Sequence, residues 1–132
     1  MGIRFMKLAV LYFLVGMGMF MSIIHKFEYA PSHTHINLLG WTSLALAGVI
    51  YHLFPDAGES RLGKLHFWLH NLGLPVFMSA LIAIESGVMA AEPLIALGAN
   101  VTSLGILLFV INVFLNVKQE NNDAGKFNNL SV

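Results

Sequence analysis

The sequence His33-Thr34-His35-Ile36-Asn37-Leu38-Leu39-Gly40-Trp41 opens an apolar run that ends at Pro55, and this run decides the fold. About 20 apolar residues are needed for a helix to cross the hydrocarbon core of a bilayer, so residues 33–54 are predicted to span a membrane. Residues two apart on an α-helix are rotated by about 200° around its axis. His33 and His35 are therefore expected on nearly opposite sides of this helix, where they are suited to two different cofactors rather than to one shared ion.

The composition indicates that this chain is a membrane protein. The chain has 132 residues, of which 57% are hydrophobic and 11% are charged, whereas soluble domains contain about 25% charged residues. Cysteine is absent from the sequence, which excludes thiolate metal sites, iron–sulfur clusters, disulfides and covalent heme attachment through Cys-x-x-Cys-His. The formal net charge is zero, so nothing points to nucleic acid as a partner.

Three further apolar segments accompany residues 33–54. We therefore predict an all-α membrane protein, an antiparallel bundle of four transmembrane helices in one domain over residues 1–117. The spans cover about residues 5–24, 33–54, 66–90 and 93–117, and residues 118–132 are predicted to form a disordered polar tail. A signal peptide is the competing interpretation of the first segment, although its apolar core is longer than the usual 7–15 or so residues and no small-x-small cleavage site follows.

The basic residues predict the orientation of the bundle. One side of the membrane would carry six of them, and only Lys26 lies on the other; the six are Arg4, Lys7, Arg61, Lys64, Lys118 and Lys126. Loops rich in lysine and arginine stay in the cytoplasm. Both termini are therefore predicted to be cytoplasmic, in an inner membrane of bacterial type, with His33 and His35 near the outer face.

Other polar residues in the spans carry weaker signals. His66 and His70 have the i, i+4 spacing of a metal-chelating pair, but together with Trp68 they also fit an interfacial belt of aromatic residues. Glu85 is the one acid deep in a span, where it is either a functional residue or a side chain that reaches water at the outer end. The roles of two more histidines, His25 and His52, stay open.

Two interpretations of His33 and His35 follow from the residues themselves. They are either helix-end histidines that are hydrogen-bonded at the membrane interface, or they are ligands of a cofactor. Asn37 and Gly40 share a helical stripe with His33, and the missing side chain of Gly40 would leave a trough in which a flat ligand could lie. Imidazole among apolar side chains, with no carboxylate nearby in sequence, suits heme iron better than zinc or calcium.

The motif His33-x-His35-x-x-Leu38-x-Gly40-Trp41, followed by Gly48-x-x-Tyr51-x-x-x-Pro55, resembles the tenth helix of the catalytic subunit of heme–copper oxidases. The likeness is strongest to their C-type and nitric oxide reductase branch. Lys64-Leu65-His66-Phe67-Trp68 resembles the start of the eleventh helix, so the chain looks like helices ten to twelve of that subunit. The resemblance implies that His33 and His35 ligate heme on opposite sides of one helix, and that His66 does not ligate heme.

In that family, twelve helices form three arcs of four with pseudo-threefold symmetry. We therefore expect a homotrimer in which His33 of one subunit meets His35 of the next across a non-covalent heme b. Such ligation favours electron transfer over binding of nitric oxide or oxygen. Complete oxygen reduction is not expected from this chain alone, which leaves open whether it is an enzyme and what its redox partner is. The alternatives are a cofactor-free structural or assembly protein, and a copper or zinc carrier that uses His25, His33 and His35.

Overall fold

The computed structural model describes residues 1–16 and 27–118, and within these ranges every regular element is helical. This confirms the predicted all-α class. Short 3-10 turns, Phe27–Tyr29 and Met89–Ala91, precede the second and the last of the five helices. The helices are α1 (Gly2–Phe13), α2 (Ala30–Leu53), α3 (Pro55–Glu59), α4 (Arg61–Glu85) and α5 (Glu92–Asn116).

Three helical segments are long and apolar enough to cross a membrane. They are α2 with 24 residues, α4 with 25 residues, and Met89–Asn116 with 28 residues. At a rise of 1.5 Å per residue each covers at least about 36 Å, which exceeds the hydrocarbon thickness of about 30 Å. These segments match the predicted spans 33–54, 66–90 and 93–117. The structure describes the predicted span 5–24 only as far as residue 16, and the predicted tail 118–132 only at residue 118, so these two, and with them the four-span bundle, stay predictions.

The bounds of α4 differ from the predicted span by five residues at each end. The helix begins early because the Ser60 hydroxyl accepts a hydrogen bond from the Gly63 N–H at 2.9 Å, which caps the helix ahead of the apolar run. It ends early because Gly87 adopts a left-handed φ of 91° and turns the chain away. Local capping chemistry, rather than hydropathy, therefore sets both ends.

Close packing between helices depends on glycine. A Cβ on Gly73 would lie 2.7 Å from the backbone nitrogen of Thr102, and one on Gly98 would overlap the backbone of Phe77, so α4 and α5 approach each other directly. Helix pairs in membranes use small residues in this way, since apolar burial alone does not drive their association. The α1–α2 pair is similar, because a Cβ on Gly40 would lie 2.7 Å from the Tyr12 ring.

Candidate functional site

His33 and His35 leave α2 on different sides, as their two-residue spacing predicted. Nδ1 of His33 lies 2.9 Å from the carbonyl oxygen of Gly16, which follows α1. The His35 ring instead packs edge-on against Phe77 of α4, with ring centroids 5.3 Å apart. The His33 imidazole thus faces the end of α1, and the His35 imidazole faces α4.

Both imidazoles are held in the same tautomer. The His33 Nδ1–H donates to the Gly16 carbonyl, and the His35 Nδ1–H donates to the Pro31 carbonyl at 2.8 Å. A carbonyl only accepts, so in each neutral ring Nδ1 carries the hydrogen and Nε2 keeps the lone pair. Histidines that ligate metals almost always donate their second ring N–H to a carbonyl or carboxylate in this way. Both rings are half-buried, which leaves part of each accessible.

Asn37 and Gly40 were the other residues predicted beside a cofactor. The Asn37 amide Nδ2 donates to the His33 carbonyl oxygen at 3.0 Å and lies 3.3 Å from Nε2 of the same residue. Its Oδ1 is buried without a hydrogen-bond partner. Because the same amide nitrogen is also 3.5 Å from Nδ1 of His33, Asn37 lies against the His33 ring. Gly40 is different, because Tyr12 covers it and occupies the trough that was predicted for a flat ligand.

The segment that follows His35 is π-helical from Ile36 to Thr42. The Ser43 N–H bonds to the carbonyl of Leu38, five residues back, so it does not serve the carbonyl of Leu39. Leu39 instead accepts a hydrogen bond from Nε2 of His70 on α4 at 3.0 Å. π-helical turns are rare and occur often at functional sites. No sequence pattern predicted this one.

Glu85 caps α2 from the far end of α4. Its two carboxylate oxygens accept hydrogen bonds from Ser32, one from the backbone N–H at 3.2 Å and one from the hydroxyl at 2.5 Å. Ser32 is fully buried and directly precedes His33. Glu85 thus has a specific partner inside the protein, Ser32, which no sequence pattern indicated.

A second polar group lies near the opposite end of α2. The Tyr51 hydroxyl is 3.1 Å from Nδ1 of His66 and accepts a hydrogen bond from the Asn112 amide at 3.1 Å. The Asn112 Oδ1 in turn accepts from the Ser60 hydroxyl at 2.8 Å. We name this group the inner polar cluster; it comprises Tyr51, Ser60, His66 and Asn112. An asparagine inside the most apolar span was the sequence signal that could have revealed it.

The interfacial interpretation of His66 is wrong. Its ring is 2% exposed and lies between Phe5 and Phe109, at centroid distances of 4.8 and 5.0 Å. Trp68 is 59% exposed and faces outward, as an aromatic belt requires. His70 is also buried, and its Nε2 is engaged by the Leu39 carbonyl. Across residues 1–16 and 27–118, no group of three or more His, Asp or Glu side chains is arranged to hold a metal ion.

An apolar cleft of about 460 Å³ opens between α1 and α4. Neither His33 nor His35 lines it, so it is not a pocket for a ligand of either residue. Its lining comes from three helices and comprises Leu8, Leu11, Tyr12, Val15, Ile36, Asn71, Pro75, Met78, Ser79 and Ile82.

The three long apolar helices indicate a multi-pass helical membrane protein, and comparison with known proteins finds similarity to subunits of cytochrome c oxidases. Cytochrome c oxidase subunit 1 of Synechocystis sp. is 29% identical over 107 residues, covering 69% of this chain. The Cbb3-type cytochrome c oxidase subunit CcoN1 of Stutzerimonas stutzeri is 26% identical over 66 residues, covering 46% of it. The resemblance to heme–copper oxidase catalytic subunits is thus confirmed as a local similarity.

The similarity is limited to part of those proteins. The chain spans 19% of the length of the Synechocystis protein and 14% of the length of the Stutzerimonas protein. No family model and no solved structure matches the chain.

Proposed function

We propose that this chain binds non-covalent heme b in the membrane and that Nε2 of His33 and of His35 are the axial ligands. The observation that carries this proposal is the shared tautomer of the two rings, since each Nδ1–H is tied to a backbone carbonyl and each Nε2 keeps its lone pair. The similarity to two proteins named as cytochrome c oxidase subunits supports the same ligand chemistry.

The surroundings of the two histidines fit a porphyrin. The next exposed side chain of α2 is apolar, since Leu38 is 56% exposed, and the apolar surface continues along the helix at Leu46, which is 59% exposed. Porphyrin is a flat and largely apolar ligand, and neutral imidazole is the usual protein ligand of its iron. Asn37, with its unpaired buried Oδ1, lies next to the His33 ring. When bound, the heme would supply one-electron exchange.

The opposite directions of the two rings favour a site between subunits. One chain does not direct both imidazoles to the same iron, because His33 faces α1 and His35 faces α4. A cyclic assembly presents His33 of each copy to His35 of the next copy, and a closed ring satisfies every site equally. We propose a homotrimer, in keeping with the threefold arrangement of helices in the family that the sequence resembles.

Electron transfer is the activity that this ligand set supports best. Two histidines bound to one heme iron would leave no open site for a gas. Binding of nitric oxide or oxygen would require one imidazole to leave. The chain would then pass electrons between redox partners rather than carry out a complete reaction by itself.

The proposed placement is a bacterial-type inner membrane, with both termini in the cytoplasm and the heme near the outer face. The distribution of lysine and arginine supports this orientation. The chain has no cysteine, so single cysteines introduced at the exposed positions Ser86 and Asp56 report the two sides separately. A membrane-impermeant thiol reagent added outside should label Ser86→Cys and spare Asp56→Cys. The reverse pattern contradicts the orientation.

Visible spectroscopy tests heme ligation directly. Protein produced with ample heme should show a Soret band, a heme b pyridine hemochrome and, after reduction, no change on addition of carbon monoxide. His33→Ala and His35→Ala should each lose most of the heme or become reactive to carbon monoxide, because each removes one axial ligand. His52→Ala is the matched control, since His52 is exposed at the far end of the same helix, and its spectrum should equal that of the wild type. A colourless wild-type protein, or His33→Ala and His35→Ala spectra equal to the wild type, overturns the proposal.

A further inference from the structure

Both oxygens of the Glu85 carboxylate are committed to a single residue of α2. Oε1 accepts the Ser32 backbone N–H at 3.2 Å, and Oε2 accepts the Ser32 hydroxyl at 2.5 Å. Ser32 is the third residue of α2 and the one directly before His33. Glu85 is the last residue of α4, so this contact joins the end of α4 to the turn of α2 that carries the histidines.

The start of α2 needs such a partner. The first four N–H groups of a helix lack intrahelical acceptors, and the residue that precedes α2, Tyr29, provides no side-chain cap. Pro31 removes one of these donors, which leaves Ser32 as an early donor with no acceptor in its own helix. A carboxylate at this position satisfies the N–H and also interacts favourably with the positive end of the helix dipole.

The charge of Glu85 is not paired with a cation in the described part of the chain. The ion pairs there join Glu59 to the amino group of Met1 and to Lys64, at the opposite end of the bundle. The titratable groups nearest to Glu85 along α2 are His33 and His35 themselves, and the facing helix α5 begins with the exposed Glu92. A charge in a poorly solvated setting acts on its neighbours more strongly than a charge in water.

We infer that Glu85 is a positioning residue for His33 and His35, and that its negative charge lowers the reduction potential of the heme iron. This inference rests on the proposed heme ligation. An anion near the iron stabilises the ferric form relative to the ferrous form, because the ferric centre carries one more positive charge. The contact with Ser32 holds the turn of α2 that carries His33 and His35, and the negative charge lowers the reduction potential.

Two kinds of substitution separate these roles. Glu85→Gln keeps an oxygen that accepts from Ser32 but removes the charge. It should retain full heme content and move the midpoint potential to a more positive value. Glu85→Ala and Ser32→Ala remove the contact itself and should reduce heme content. Glu92→Gln is the matched control, because it removes an exposed acid at the same end of the bundle, and its potential should equal that of the wild type.

Hydrogen–deuterium exchange of the heme-free protein provides a readout that needs no cofactor. Exchange of the Ser32 amide should be slow in the wild type and in Glu85→Gln, and several-fold faster in Glu85→Ala. An unchanged midpoint potential in Glu85→Gln refutes the charge effect, and unchanged exchange in Glu85→Ala refutes positioning. A wild-type protein that takes up no heme refutes the proposed function and the charge effect together, whereas the exchange experiment still decides the helix contact.

Discussion

Replacing Asn112 with alanine should remove the central member of the inner polar cluster. Asn112 is fully buried, and its Nδ2 donates to the Tyr51 hydroxyl at 3.1 Å and to the Ala57 carbonyl at 2.8 Å. Its Oδ1 accepts from the Ser60 hydroxyl at 2.8 Å and from the Asn116 amide at 2.7 Å. The side chain therefore connects α2, the segment around α3 and α5 through four hydrogen bonds.

The expected loss of stability follows from those four contacts. A hydrogen bond between membrane helices contributes about 0.6 kcal/mol on average and up to about 1.7 kcal/mol. Alanine also leaves buried partners without their hydrogen bonds, which adds a desolvation penalty. We expect Asn112→Ala to lower the free energy of unfolding by about 3 kcal/mol. For a domain of this size that corresponds to a fall of about 10 °C in melting temperature.

Circular dichroism of the protein in detergent, followed during heating, measures this change. Asn100→Ala is the matched control, because Asn100 is on the same helix but exposed, and it should shift the melting temperature by less than about 2 °C. Equal melting temperatures for Asn112→Ala and Asn100→Ala would show that the inner polar cluster does not hold the helices together.

Three further substitutions test the packing and are read by the same melting experiment. Tyr51→Phe keeps the ring but loses the hydroxyl between His66 and Asn112, and should cost about 1 kcal/mol; no change would mean that the hydroxyl is not needed there. Ser60→Ala removes the hydroxyl that caps α4 and should also cost about 1 kcal/mol; an unchanged melting temperature would mean that this cap does not stabilise the protein. Gly98→Leu places a branched side chain against the backbone of Phe77 and should prevent folding or separate α4 from α5, whereas a wild-type melting curve would contradict their close approach.

Hydropathy and residue spacing predicted much of this architecture. Apolar runs of about 20 residues located three spans, and the spacing of His33 and His35 predicted their opposite directions, because both follow from helix geometry alone. The helix ends were less predictable. The bounds of α4 depend on one hydroxyl, that of Ser60, and on one left-handed glycine, Gly87, which an average over many residues does not detect.

Contacts between distant parts of the chain were the least predictable. His66 looked interfacial beside Trp68, but packing against Phe5 and Phe109 buries it. Within the π-helical stretch Ile36–Thr42, the carbonyl of Leu39 accepts a hydrogen bond from a histidine 31 residues away. Such features arise from partners that one helix encounters only after folding, so local sequence patterns carry little signal for them.

A complementation experiment tests the central claim that His33 of one subunit and His35 of its neighbour share one heme. Subunits with His33→Ala and subunits with His35→Ala, carrying different tags, are produced together, and mixed assemblies are isolated through both tags. Any mixed ring of three contains a junction at which an intact His33 meets an intact His35, whereas neither variant alone forms such a junction. The account predicts one six-coordinate heme per mixed trimer and none in either parent assembly. Mixed assemblies without six-coordinate heme, or a wild-type protein that binds heme as a monomer, would contradict it.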